Sequence, residues 1–248
     1  MKKLILFLMI AVLAFSFSCG NKPTAPVTEK TTFTINGAVV KDMNSSKDIV
    51  YFKVWRNDTL YNDATVKVGN KTILNSGSGL YDSLFADTTF KVKTAYTDSI
   101  ISSEDSVIIT FGFTMPDTFS VQTSPDKDTF ILQEFPIQVT WTASSNSSGY
   151  FISMVKGDTI PGAMLYSTTI SGTSESIPGD AVRNVFDQLV TGYYWVFVVA
   201  YNKSFVSYPD IPFNLPVGLP ANNINGANGT IGAGVIAKKV VIYVKSSP

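Results

Sequence analysis

The chain has 248 residues, 19 basic and 19 acidic side chains, no histidine and one cysteine. Balanced charge with no basic run excludes an electrostatic nucleic-acid binder, and the missing histidine removes the commonest general base and zinc ligand. A lone cysteine leaves no internal disulfide, so stability must come from packing.

Lys2 and Lys3 open the chain, and an apolar run from Leu4 to Phe17 follows, ending among the small residues Ser16 and Ser18. The run is short of the ~20 residues that a spanning helix needs, so residues 1–18 are expected to be a secretory signal. The stretch LAFSFSCGNKP then resembles the cleavage motif of bacterial lipoproteins: Ser18 precedes Cys19 and Gly20 follows it, with Ser16 where that family prefers leucine. The resemblance implies that Cys19 is the lipid acceptor, with a diacylglycerol thioether and an acylated amino group. The membrane would then be a partner through that lipid, and Gly20 resembles the sorting signal for the outer membrane. Two or more chains, at ~0.8 kcal/mol per buried methylene, anchor stably. Residues 19–31, polar with Pro23 and Pro26, are expected to be an extended tether.

From Thr32 the pattern is strand after strand. TFTINGAVV, DIVYFKVWR, ATVKVGNKTI, TTFKVKTAY and DSVIITFGF alternate apolar and polar positions and are rich in β-branched and aromatic residues. Asn36-Gly37, Asn57-Asp58, Gly69-Asn70 and Gly77-Ser78-Gly79 supply turn chemistry. Residues 32–115 are expected to be a β-sandwich. Ala64, Val66 and Val68 followed by Gly79 and Tyr81 resemble the strand and Gly-x-Tyr turn of carboxypeptidase-regulatory-like and collagen-adhesin B-type sandwiches.

Pro116 and Pro125 bracket a boundary, with one short strand, 118–123, between them. Residues 118–248 are expected to form a second sandwich from IQVTWTA, GYFISMV, MLYSTTIS, ESIPG, YYWVFVVAY and AKKVVIYVKS. Trp141, Tyr150 and the alternation Tyr194, Val196, Val198, Ala200, Asn202 resemble the fibronectin type III pattern, which implies a core Trp and a Tyr that caps the corner before its strand. GDAVRNVFDQLVTG reads as a short helix with Val182, Phe186 and Leu189 on one face. The Pro/Gly/Asn-rich stretch 203–236 is expected to be a long connection. The fold class expected is therefore all-β: two tandem immunoglobulin-like sandwiches with one short helix in the second.

No nucleophile elbow, phosphate loop, dinucleotide fingerprint or marked carboxylate pair appears. No catalytic residue, metal site or cofactor is assigned, and the chain reads as a non-enzyme. Asp42, Asn44, Ser46 and Asp48 alternate like the start of a calcium loop, but Lys47 and Lys53 stand where that loop needs Gly and Glu, so a polar hairpin loop is expected. NINGANGTIGAG does not lead from a strand into a helix and reads as a flexible loop. The informative feature is apolar content on a face that should be wet. If Tyr194, Val196, Val198 and Ala200 point inward, then Tyr193, Trp195, Phe197, Val199 and Tyr201 point outward, as Phe151 and Val155 do on the neighbouring strand. Either the chain covers this face, with the 203–236 connection or with the first sandwich, or it meets a protein or a glycan. Tyr193, Trp195, Phe197, Tyr201 and Phe151 are the candidate ligand residues.

Overall fold

The computed structural model describes residues 31–86, 89–90, 95–102, 107–157, 164–202 and 224–246. The signal, Cys19 and most of the tether lie outside them, as do residues 203–223 of the connection. The first sandwich takes β1 (Phe33–Asp42), β2 (Lys47–Arg56), β3 (Thr59–Leu60), β4 (Ala64–Val68), β5 (Lys71–Gly77), β6 (Leu80–Ala86), β7 (Ala95–Ser102) and β8 (Val107–Thr114). The second takes β9 (Val121–Ser124), β10 (Thr129–Ile131), β11 (Ile137–Trp141), β12 (Gly149–Lys156), β13 (Met164–Ile170), β14 (Ser174–Ile177) and β15 (Gly192–Asn202). Three strands follow: β16 (Ile224–Asn225), β17 (Asn228–Ile236) and β18 (Val240–Lys245). The described residues are nearly all strand, and each half packs its strands around a core of its own.

Alternation sets the faces. In β1, Phe33, Ile35 and Val39 point into the first core with Val50, Phe52 and Val54 of β2, and Val66, Val68, Ile109 and Phe111 close it from the opposite sheet. Gly79 turns through positive φ (68°), and Tyr81 beyond it is fully buried, its hydroxyl accepting from the Ala64 amide at 2.9 Å and donating to the Tyr61 carbonyl at 3.2 Å. In the second sandwich the sheet β14-β11-β9 packs on the sheet that holds β12, β15 and β18. Its core contains Trp141, Tyr150, Ile152, Met154, Tyr194, Val196, Val198 and Ala200. The Tyr194 hydroxyl donates to the Val190 carbonyl and so fixes the corner into β15.

Two sequence expectations are corrected. The helix over 179–192 is a single 3-10 turn, Gly179–Val182, after which Arg183 is extended. The Asn184 carboxamide then accepts from the Phe186 and Gln188 amides and Asp187 adopts φ 60°. This local side-chain bonding competes with helix propagation and leaves Phe186 77 % exposed. The second correction is at 224–236, where the glycine-rich tract is a strand and not a loop. β17 pairs in parallel with β1 along nine positions, from Thr34↔Asn228 to Asp42↔Ile236. Gly229 permits that approach: a Cβ there would stand 2.0 Å from the Ile35 carbonyl oxygen.

β17 also pairs antiparallel with the second half of β15, Val199 to Asn202, while β18 pairs with the first half, Gly192 to Val196. One hydrogen-bonded sheet therefore runs from β10 through β18, β15, β17, β1 and β2 into the first sandwich. The chain leaves the first sandwich after β8, returns to it for β16 and β17, and leaves again for β18. From Thr32 onward it is one compact unit.

Candidate binding surface

The outward residues of β15 and β12 meet the outward residues of β1 and β2. Ala38, Val40, Ile49 and Tyr51 pack on Phe151, Val155, Phe197, Val199 and Ile236 to form a third core, with Trp195 and Tyr201 at its margin. The apolar face legible in the sequence is thus closed by the first sandwich, one of the two coverings expected. Phe197 is 4 % and Phe151 3 % exposed, so neither is open to a ligand. Tyr201 lies half-buried against Gly149, where an added Cβ would sit 2.8 Å from the tyrosine hydroxyl. Trp195 meets Phe197 edge to face at 88°, which rules out a flat ring platform. The Lys239 ammonium stands 3.8 Å from the Trp195 ring centroid.

Polar contacts lock the same junction. The Met43 amide donates to the Ile236 carbonyl at 3.1 Å. Asn44 donates from Nδ2 to the Ala237 carbonyl at 2.9 Å and accepts from the Lys239 amide at 2.8 Å. Asp42 shapes the loop by accepting from the Asn44 amide and the Ser45 hydroxyl. Asp48, the last oxygen carrier of the calcium-like series, is fully buried; it accepts from Lys41 Nζ at 2.8 Å and from the Phe90 amide at 2.8 Å. The series is a clasp and an ion pair, and no group of three His, Cys, Asp or Glu that would hold a metal occurs among the described residues.

One part of the outer face stays open. Tyr193 (61 % exposed) and Tyr243 (37 %) are cross-strand partners with ring centroids 4.9 Å apart, and Val241 beside them is 42 % exposed. Of the five residues named from sequence, the structure leaves Tyr193 exposed and Trp195 and Tyr201 half-buried. Tyr243, Val241 and Lys239 were not among the candidate ligand residues, although VVIYV is apolar on both faces of its strand. An open cleft of about 620 Å³ adjoins, lined by Met43, Thr118, Phe119, Ser120, Thr142 and both Lys238 and Lys239 among others.

No protein-family model and no curated protein matches the chain. Solved structures do align. The FN1–FN3 domains of chicken CNTN1 match with 12 % identity over 86 % of this chain and 68 % of that one, TM-score 0.27. The fibronectin(III)-like modules of Clostridium thermocellum CbhA match with 13 % identity over 87 % and 95 %, TM-score 0.27. Titin domains A168–A170 match with 12 % identity over 86 % and 66 %, TM-score 0.26.

Proposed function

We propose that this protein is a non-enzymatic scaffold of the bacterial cell envelope, held to the membrane by lipid on Cys19 and holding two sandwiches as one stiff body. The observation that carries the reading is the third core. A pair of domains built to flex would keep a small, polar contact between them; here Phe151, Phe197 and Val199 are withdrawn from water against β1 and β2. The anchor rests on the LAFSFSCGNKP motif. No helix among the described residues is long and apolar enough to cross a membrane. Replacing Cys19 by Ala and fractionating cells tests it: the wild-type chain should stay with membranes and take up labelled palmitate, whereas C19A should do neither. A C19A chain that still sediments with membranes and stays there through a carbonate wash would sink the anchor.

A second reading, carbohydrate binding by the outer face of the second sandwich, is favoured by one observation: the Tyr193–Tyr243 pair stays exposed although the first sandwich buries Phe151, Phe197 and Val199 of that face. Its test is loss of glycan binding on replacing the two tyrosines.

A further inference from the structure

The open face has a charge pattern as well as an aromatic one. Along β18 the buried residues are Ile242 and Val244, so Val241, Tyr243 and Lys245 share the outer face, and Lys239 precedes them in the same alternation. Tyr193 and Trp195 of β15 stand beside Tyr243 and Val241 in register. Tyr243 and its β15 partner Tyr193 therefore lie between Lys239, which stands just ahead of β18, and Lys245 at the end of it. Lys239 also lines the cleft, with Lys238 and the hydroxyl-bearing Thr118, Ser120 and Thr142. From Ile211 to Pro248 the sequence contains these three lysines and no Asp or Glu. The carboxylates nearest the strip come from the β10 side. Glu134 is paired with Lys127 and also lies close enough to Lys245 to share its field, and Asp128, which offers its backbone carbonyl to the Tyr243 amide, stands exposed at the edge.

We infer that this strip binds an anionic polysaccharide, one with carboxylates on its sugar rings, laid along β18 and continuing at Lys239 into the cleft. The inference rests on the carbohydrate reading and narrows its ligand class. Pyranose rings offer apolar C–H faces to Tyr193 and Tyr243, and carboxylates spaced along the chain meet Lys239 and Lys245. Lys239, steadied over the Trp195 ring, presents its charge at a fixed place instead of on a free stem. A neutral glycan would use the rings and leave Lys239 without a carboxylate to meet; a lipid surface would reach both lysines but has no sugar face for the tyrosines.

The test is calorimetric titration of the full chain in mild detergent with polygalacturonate oligomers, with a neutral glucan oligomer of equal length and with anionic vesicles. The expected result is saturable binding to polygalacturonate that weakens as salt rises. Tyr243→Ala and Lys239→Gln should each lower the affinity about 3- to 10-fold, while Leu74→Ala, on the exposed part of the first sandwich, should leave it unchanged. Equal binding to the neutral oligomer, lost in Tyr243→Ala, overturns the anionic class and keeps the carbohydrate reading. No binding to either glycan overturns both. Binding to polygalacturonate or vesicles that salt abolishes and the tyrosine variants leave intact marks plain polyanion attraction and overturns the proposal. None of these outcomes touches the anchor, which the Cys19 experiment decides.

Discussion

Gly229 holds φ at 104° while its α-carbon faces the Ile35 backbone in the parallel ladder. A methyl group at this position would be strained in conformation and would also strike the Ile35 carbonyl, which is backbone and cannot swing aside. Gly229→Ala should therefore cost at least ~2 kcal/mol, read as a lower denaturation midpoint in urea. The Lys41–Asp48 pair makes a different demand, since both side chains are withdrawn from water and Asp48 also satisfies the Phe90 amide. Removing one partner strands a buried charge, so Asp48→Ala should destabilise by about 3–5 kcal/mol in the same measurement. The phenols act at the alkaline limb. Burial raises the proton affinity of Tyr81, against the opposing pull of the Ala64 amide. Burial and a hydrogen bond to Glu175 raise that of Tyr166. Both folded-state values lie above the ordinary value of about 10. The stability they contribute is complete below that pH and is lost as pH climbs past it, because the unfolded chain then releases protons that the folded chain retains. Tyr166→Phe should flatten the fall in thermal midpoint above about pH 10.

At the scale of elements, long alternating strands were legible and glycine-rich or locally bonded ones were not. TFTINGAVV, DIVYFKVWR and YYWVFVVAY correspond to β1, β2 and β15 within one or two residues, because branched and aromatic side chains at every second position have few other ways to be buried. β17 hid in NGTIGAGVI. Glycine carries no hydrophobic signal, and at Gly229, where the Ile35 backbone crowds the α-carbon, no other residue fits. GDAVRNVFDQLVTG misled in the opposite direction, since its apolar spacing suits a helix while Asn184 ties up the backbone needed to continue one. For the candidate surface the apolar excess on β15 was readable, but its meaning depended on where the first sandwich docks, which no local pattern encodes. Phe197→Ala should open a void in the third core and cost roughly 3–5 kcal/mol. Tyr193→Ala, on the open part of the same strand, should change stability by less than about 0.5 kcal/mol in the same urea titration.

At the scale of the molecule, the shared sheet and the third core couple the two sandwiches. Two sandwiches on a loose linker would unfold in two steps; here a single transition is expected, with calorimetric and van't Hoff enthalpies equal. The three tryptophans report on separate places: Trp55 on β2, Trp141 in the second core and Trp195 at the margin of the third. Chains that keep one tryptophan each should give coincident denaturation curves, and a separated midpoint for Trp141 would refute the coupling. Asn202, whose Nδ2 donates to the Thr114 carbonyl at 3.0 Å, adds a further tie where β15 leaves the second sandwich.

The parallel pairing of β1 with β17 also has a consequence in time. Asn36 and Thr230 are hydrogen-bonded across 194 residues of sequence, so β1 waits during synthesis for a strand made far downstream of it. Until then the open edge of β1, flanked by the uncovered Ala38 and Val40, is a template on which another nascent chain can add a strand. The first sandwich cannot finish before the second has been made, and closure of so long a loop is slow. A protein assembled in this order gains by being kept apart from its own copies until β17 has been made and can close that edge.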